Sequence, residues 1–362
     1  MSGPVVIAAG GTGGHMFPAL ALARALQERG RAVALITDRR GARFVKPGLP
    51  LHLVAAGSPT GSLASRLLGL GRLATGLVQS LLLFRRLRPT AAACFGGYAS
   101  VPPALAAAAV GRPLLLHEQN AVLGRANRLV ARFAARVALS FADTAHVGRA
   151  AAVTVTGNPV RPEFGVQAAP YTAPQGDAPI HLLVLGGSQG ARVLSDVLPA
   201  AVALLPDALR RRLRICQQCR PEDLERVRAA YAALAVACEL ATFFADVPER
   251  MAAAHLIVSR AGASSVAEIL TVARPALLIP YAHAADDHQR ANAARLAAAG
   301  AAELLVESDL SPASLAERLA ACLSDPARLA EMAARARGLA CPDAARRLAD
   351  LVLELAPAEG RS

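Results

Sequence analysis

The sequence predicts an α/β protein of two similar lobes built on parallel sheets, and three observations carry that expectation. Apolar strand-like runs alternate with helical patterns from end to end, the signature of βαβ units whose sheets are covered by helices on both faces. A glycine cluster stands at a strand-to-helix turn in each half: Gly10-Gly11-Thr12-Gly13-Gly14 follows Val5-Val6-Ile7, and Gly186-Gly187-Ser188-Gln189-Gly190 follows the apolar run 180–185. Between the halves, residues 157–179 are rich in proline and glycine and lack periodicity, which predicts the connection there. At 362 residues the chain is long for a single core, so two domains are expected.

In the first half the expected strands are 5–9, 32–37, 51–55, 91–95, 113–117 and 136–140, with amphipathic segments such as 18–28 and 123–133 between them. Residues 89–111 carry no charge and are long enough to suggest a membrane span. Gly96-Gly97 and Pro102-Pro103 interrupt the run, so it reads as buried strand, loop and helix. From 61 to 89, Leu63, Leu67, Leu70, Leu77, Leu81 and Phe84 recur at helical spacing beside Arg66, Arg72, Arg85, Arg86 and Arg88. Such a face suits reversible docking on anionic headgroups or, equally, a core helix with a basic outer side; Gly69, Gly71 and Gly76 are places where the helix would break. The pattern restarts at 180, with strands expected at 213–217, 239–243, 256–259, 276–280 and 302–306, and helices at 311–323, 326–338 and 343–355.

Composition narrows the chemistry. A hydrophobic content of 54% excludes a disordered chain, and the formal charge of +12 rests almost wholly on arginine, since Lys46 is the single lysine. That balance favours nucleic acid, an anionic membrane or a phosphorylated substrate as partner. Aromatic residues at 4%, with no tryptophan, oppose binding of single-stranded nucleic acid, which needs stacking platforms. Six scattered cysteines and the lack of a cationic leader predict a reducing, cytoplasmic setting, and Cys216 and Cys219 form a CxxC that no second pair or histidine completes into a zinc set. No metal and no cofactor is expected.

Glycines at a helix start bring backbone amides close to an anion, so paired loops predict a phosphorylated ligand held between the lobes. Neither cluster meets the GxGxxG spacing and no GK[ST] exists, which excludes a Walker A loop; Asp38, at the end of the second expected strand, keeps a dinucleotide reading open as a ribose-binding acid. Ser188 suits a diphosphate or an ordinary helix cap, and Glu268 by itself reads as a solvated helix charge.

GGTGGHMFPAL at 10–20, CFGGYAS at 94–100, HEQN at 117–120, GNPVR at 157–161, GGSQGAR at 186–192, SRAGASSVAE at 259–268 and DHQ at 287–289 occur in that order. Together, across nearly the whole chain, they make the sequence resemble the MurG family, bacterial N-acetylglucosaminyltransferases that convert lipid I to lipid II. The resemblance implies a GT-B fold, two Rossmann-like domains with parallel sheets facing across a cleft. It divides the chain into 1–160 for acceptor and membrane, 161–340 for UDP-N-acetylglucosamine, and a tail, 341–362, whose helix returns to the first domain. It also implies a metal-independent, inverting transfer by a peripheral protein on the cytoplasmic face of the inner membrane, with UDP-N-acetylglucosamine, lipid I and the anionic membrane surface as partners and no nucleic acid.

By the same resemblance the donor is bound by Thr12, Gly13, Gly14, Asn120, Arg161, Ser188, Phe244, Ala263, Ser264, Ser265, Val266, Ala267, Glu268 and Gln289. In that set Glu268 takes the ribose hydroxyls, Phe244 lies near uracil, Arg161 and Ser188 meet the diphosphate, and Asn120 and Gln289 contact the sugar. Gly96, Gly97 and Tyr98 border the acceptor diphosphate. His15 is the first candidate for removing the hydroxyl proton and Glu118 the second, while a capping or phosphate-positioning role for His15 stays open. Cys216-Gln217-Gln218-Cys219 departs from the histidine-glutamine-serine/threonine-glycine run usual in the family. A UDP-sugar epimerase of the same architecture, a dehydrogenase and a non-enzymatic basic membrane module are the alternatives.

Overall fold

The structure, a computed structural model, describes residues 3–45, 47–148, 152–187 and 190–356. The described residues form two compact units: one runs as far as Arg161 and takes the chain back from Cys341, and the other comprises Pro162–Ala340.

The first unit is a seven-stranded sheet of β1 (Val5–Ala8), β2 (Val33–Thr37), β3 (Leu51–Leu53), β4 (Ala91–Cys94), β5 (Leu114–Glu118), β6 (Arg136–Leu139) and β7 (Ala152–Val155), in the order β3-β2-β1-β4-β5-β6-β7. Its helices are α1 (Gly13–Gln27), α2 (Leu63–Leu87), α3 (Val101–Ala109) and α4 (Arg125–Val130). In the second, β8 (Ile180–Leu185), β9 (Leu213–Gln218), β10 (Ala237–Ala241), β11 (Leu256–Ser259), β12 (Ala276–Leu278) and β13 (Ala302–Leu304) lie in the order β10-β9-β8-β11-β12-β13. Around them run α5 (Pro162–Val166), α6 (Arg192–Ala203), α7 (Asp207–Arg212), α8 (Leu224–Ala233), α9 (Val247–Ala253), α10 (Ala263–Val272), α11 (His288–Ala298), α12 (Pro312–Leu323) and α13 (Pro326–Leu339). The last helix, α14 (Ala344–Leu355), belongs to the first unit.

Every strand pairing in both sheets is parallel. Parallel strands are buried on both faces, which is why they read as unbroken apolar runs. In β1 and β2, Val6, Ala8, Ala34 and Ile36 enter one core, and Val5, Ile7, Val33 and Leu35 enter another on the opposite face. Leu348, Ala349, Leu351 and Val352 of α14 complete the second of these cores against Met16, Leu22 and Leu26 of α1. Their three- and four-residue spacing makes one apolar face, and Arg29 adds an ion pair to Asp350 at 2.8 Å.

Each sheet reverses its strand order beside its own first strand: β1 lies between β2 and β4, and β8 between β9 and β11. Loops leaving the carboxyl ends of strands diverge at such a point and open a crevice for a ligand. Both glycine clusters leave those first strands.

Three expectations change. The chain passes from the first unit to the second at Arg161–Pro162, inside the expected connection 157–179, but the rest of that stretch is structured: α5 forms within it, Tyr171 Oη donates to the His255 carbonyl at 2.9 Å, and Arg274 Nη1 donates to the Ala169 carbonyl at 3.1 Å. Those bonds anchor the segment to the second unit, a long-range effect that local composition does not register. The edge strand β7 is additional; its run is four residues long and half exposed, with little pattern to detect. Finally, α2 is unbroken over 25 residues. Its glycines mark a close crossing, since a Cβ on Gly69 would stand 2.5 Å from the Ser58 carbonyl oxygen and one on Gly76 2.1 Å from that of Ala55. The stripe on α2 divides along its length: Leu77, Leu81 and Phe84 meet the core, whereas Leu63, Leu67 and Leu70, with Leu68, Val78 and Leu82, are exposed.

Candidate active site

In the first unit three loops leave adjacent strands, β1, β4 and β5. Thr12 is the extended N-cap of α1, Gly13 and Gly14 open the helix, and His15 follows in its first turn. The loop after β4 packs directly on this turn: the Gly10 amide donates to the Gly96 carbonyl at 2.8 Å, and a Cβ on Gly10 would stand 2.7 Å from Gly97 Cα. Gly97 has φ +73°, a conformation glycine adopts without strain, and Tyr98 begins the short helical turn that follows. Thr12, Gly13, Gly14, His15, Gly96, Gly97 and Tyr98 are therefore gathered in one place, with the chain from Glu118 to Asn120 beside them.

Behind His15 lies a line of hydrogen bonds. Its Nδ1 is 3.2 Å from Gln119 Oε1; Gln119 Nε2 is 2.9 Å from the Phe95 carbonyl oxygen and 3.2 Å from His117 Nδ1; His117 Nε2 is 3.1 Å from the Gly157 carbonyl oxygen. Burial pulls the His117 pKa down to about 4, outweighing the upward influence of the Gly157 carbonyl and of Glu118.

Glu118 is only 2% exposed and accepts four hydrogen bonds. Oε1 takes the Asn120 amide and Asn120 Nδ2, each at 3.0 Å; Oε2 takes the Gly124 amide and Asn127 Nδ2, each at 2.9 Å. The carboxylate thus shapes the turn that carries Asn120. Asn127 also donates to the His117 carbonyl at 3.1 Å. Arg161 lies in this unit with its guanidinium 5.0 Å from the Phe17 ring centroid. Asp38 does not wait for a ribose: Oδ1 accepts from the Arg40 and Gly41 amides and Oδ2 from the Arg40 guanidinium, which removes the feature that supported a dinucleotide.

In the second unit the corresponding loops leave β8, β11 and β12, again adjacent strands. Ser188 lies outside the described residues. Gly262 caps α10, so Ala263, Ser264 and Ser265 form its first turn and Val266, Ala267 and Glu268 the next. Glu268 is 7% exposed, a buried carboxylate rather than the solvated charge its sequence context suggests. Ser264 Oγ is buried with no hydrogen-bond partner among the described residues. Gln289 opens α11, and its Oε1 accepts from the Tyr281 amide at 3.0 Å.

Phe244 stands apart, after β10 at the sheet edge, where the Arg250 guanidinium covers its ring at 4.3 Å. The exposed ring of that pair is Phe243. The two rings thus differ in burial, Phe244 being 5% exposed and Phe243 75%. Sequence reasoning passed over Arg260, whose Nη1 donates to the Ile279 and Pro280 carbonyls, each at 3.1 Å, and to Glu307 Oε2 at 2.7 Å. Against the upward push of burial, that bond and the Ala282 amide hold the Glu307 carboxyl below its ordinary range. Arg260 thereby pins the loop leading to Gln289; its place inside the 259–268 motif was the available signal. Among the described residues no group of three histidine, cysteine, aspartate or glutamate side chains could hold a metal ion, and Cys216 and Cys219 are free thiols.

The sequence matches the Glycosyltransferase family 28 N-terminal domain over residues 5–139 and the family 28 C-terminal domain over 181–348. A Paramagnetospirillum magneticum protein named UDP-N-acetylglucosamine--N-acetylmuramyl-(pentapeptide) pyrophosphoryl-undecaprenol N-acetylglucosamine transferase is 51% identical over 361 residues, covering 98% of this chain and 97% of its own. The crystal structure of Acinetobacter baumannii MurG superposes with a TM-score of 0.80 at 32% identity, over 97% of this chain and 99% of that one. The chain belongs to the MurG family. MurG-family membership brings the GT-B architecture, realised here as two parallel-sheet α/β units. That architecture is wider than MurG: the glycotransferase of kitacinnamycin shares it with a TM-score of 0.73 at 19% identity, over 98% of this chain and 100% of that one, a likeness of fold alone.

Proposed function

We propose that this chain moves N-acetylglucosamine from UDP-N-acetylglucosamine to the C4 hydroxyl of the muramoyl unit of lipid I, giving lipid II for peptidoglycan synthesis. The observation that carries the reading is the 51% identity, over 98% of the chain, to a relative named for that transfer. Two switch-point sites support it, one in each unit.

In the reaction the C4 oxygen attacks the anomeric carbon, the bond from that carbon to the UDP oxygen breaks, and configuration inverts. The hydroxyl proton passes to His15, whose position at the start of α1 beside Gly96 and Gly97 supports the role of base. Glu118, with four donors around it, acts by holding Asn120 toward the sugar. Arg161, Ser188 and amides of the 186–191 turn meet the charge that grows on the departing diphosphate, in place of a metal ion. Thr12, Gly13 and Gly14 line the reacting centre, and Gly96, Gly97 and Tyr98 border the acceptor diphosphate. Glu268 accepts from the ribose hydroxyls, Ala263 to Ala267 lie along the nucleotide, and Gln289 binds the sugar. The unpartnered Ser264 hydroxyl supports a polar ligand at that helix end. Phe244, held under the Arg250 guanidinium with Phe243 exposed beside it, lies near uracil at the loop after β10.

The acceptor is lipid-borne, so the protein works as a peripheral enzyme at the cytoplasmic face of the inner membrane. The α2 helix is long and apolar enough to cross a bilayer by length and composition, yet its second half is packed on the core. We assign its exposed leucines, with Arg66 and Arg72 beside them, to docking on an anionic surface.

The test is transfer of radiolabel from UDP-N-acetylglucosamine to a lipid I analogue; well-folded protein that transfers nothing overturns the proposal, and conversion of the free sugar nucleotide without acceptor points to the epimerase. Leu67→Asp is expected to weaken binding to anionic vesicles while leaving transfer to a soluble acceptor analogue intact. Loss of both together argues against separate docking.

A further inference from the structure

Gln119 has one workable orientation. The Phe95 carbonyl can only accept and lies 2.9 Å from Nε2, so the NH2 end of the amide faces Phe95 and the amide oxygen faces His15. That oxygen, 3.2 Å from His15 Nδ1, can only accept, which puts a hydrogen on Nδ1. The second Nε2 hydrogen meets His117 Nδ1 at 3.2 Å, so His117 carries its own hydrogen on Nε2 and donates to the Gly157 carbonyl at 3.1 Å. Each link admits one direction, and the Gly157 carbonyl anchors the end of the chain. Burial keeps His117 neutral at physiological pH, which stops the direction from reversing. Glu118, the charged neighbour on β5, has all four of its described acceptor contacts turned to the 120–127 segment.

We propose that Gln119, itself oriented by Phe95 and His117, is a positioning residue that holds His15 in the Nδ1–H tautomer, so that Nε2 is the nitrogen that takes the acceptor proton. This rests on the reading of His15 as base and deepens it. When Nε2 gains the proton, the Nδ1–H···Oε1 bond becomes charge-assisted and strengthens as the hydroxyl loses its hydrogen. A base oriented by a third group is a recurring requirement of proton transfer, and an amide supplies the orientation without adding a charge.

The test uses full-length protein labelled with ¹⁵N-histidine, with the His15 signals identified by their loss in His15→Ala. At neutral pH, without substrate, the expected spectrum shows Nδ1 protonated and Nε2 bare. Gln119→Leu is expected to lose that tautomer and to lower kcat by roughly 10- to 100-fold, with the KM for UDP-N-acetylglucosamine changed by no more than about twofold. A wild-type spectrum with the hydrogen on Nε2 of His15 overturns the proposal even if no Gln119 variant folds. So does a folded Gln119→Leu protein with unchanged tautomer and kcat. Because the tautomer is read without turnover, a chain inert in the transfer assay sinks the functional reading through that assay, and the role of Gln119 is still decided by the spectrum.

Discussion

A bonded polar cluster at the strand ends of the first unit contrasts with one hydroxyl at a strand end of the second. In the first, His15, Gln119 and His117 bond to one another, and Glu118 collects four donors from the turn it shapes. In the second, the Ser264 hydroxyl at the start of α10 is buried and has no described partner. Side chains that satisfy one another hold a fixed geometry before any ligand arrives, which is what a proton-transfer step requires. A buried hydroxyl without a partner carries a cost that a ligand can relieve, which is what a binding step uses. On the proposed function, reaction belongs to the first unit and nucleotide capture to the second.

The sharpest way to break that contrast is His15→Ala. Transfer is expected to fall by about 10²- to 10⁴-fold while UDP affinity, measured by calorimetry, stays level; a variant that loses UDP but turns over normally would invert the assignment. Next comes His117. Its folded pKa of about 4 lies below the ordinary 6.5, so as pH falls through that interval the unfolded chain takes up a proton that the folded chain refuses. The stability present above the ordinary value should therefore drain away by roughly 3 kcal/mol as the pH drops toward the folded value. His117→Gln should flatten that part of the stability–pH curve, read from denaturant midpoints at neutral and mildly acidic pH. An unchanged slope would mean that His117 is not held neutral by burial.

Glu118→Gln is smaller in effect and turns on structure. An amide in place of the carboxylate sets an NH2 group against at least one of the donors now pointing at it, and a loss of about 1–3 kcal/mol in unfolding free energy is expected. Full stability with abolished transfer would instead return Glu118 to the role of base. The smallest effect belongs to Ser264→Ala. Stability should hold or rise slightly, while the KM for UDP-N-acetylglucosamine rises by about threefold to tenfold. If stability falls and KM does not move, the hydroxyl serves the fold, and the difference between the units disappears.

Much of this was legible along the chain. The parallel sheets announce themselves because both faces of the central strands are buried, leaving apolar runs such as Leu182–Leu183–Val184 without alternation. Glycine clusters at two strand ends marked the loops, and motif order marked the family. Less legible were features that depend on what packs against what. The 63–84 stripe is periodic throughout, yet only the leucines and phenylalanine of its second half meet the core. Phe243 and Phe244 are neighbours in sequence, yet one ring is exposed and the other buried beneath Arg250.

Local chemistry, carried by hydropathy period and by glycine where backbones must approach, determined the element types, the two-unit plan and the loops that bear function. Tertiary structure decided the rest: that the 162–179 segment folds onto the second unit, that Glu118 is enclosed by four donors, and that His15 faces an amide oxygen contributed by a strand end more than a hundred residues away. Hydrogen-bond direction and burial depend on groups distant in sequence, and no window along the chain contains both partners.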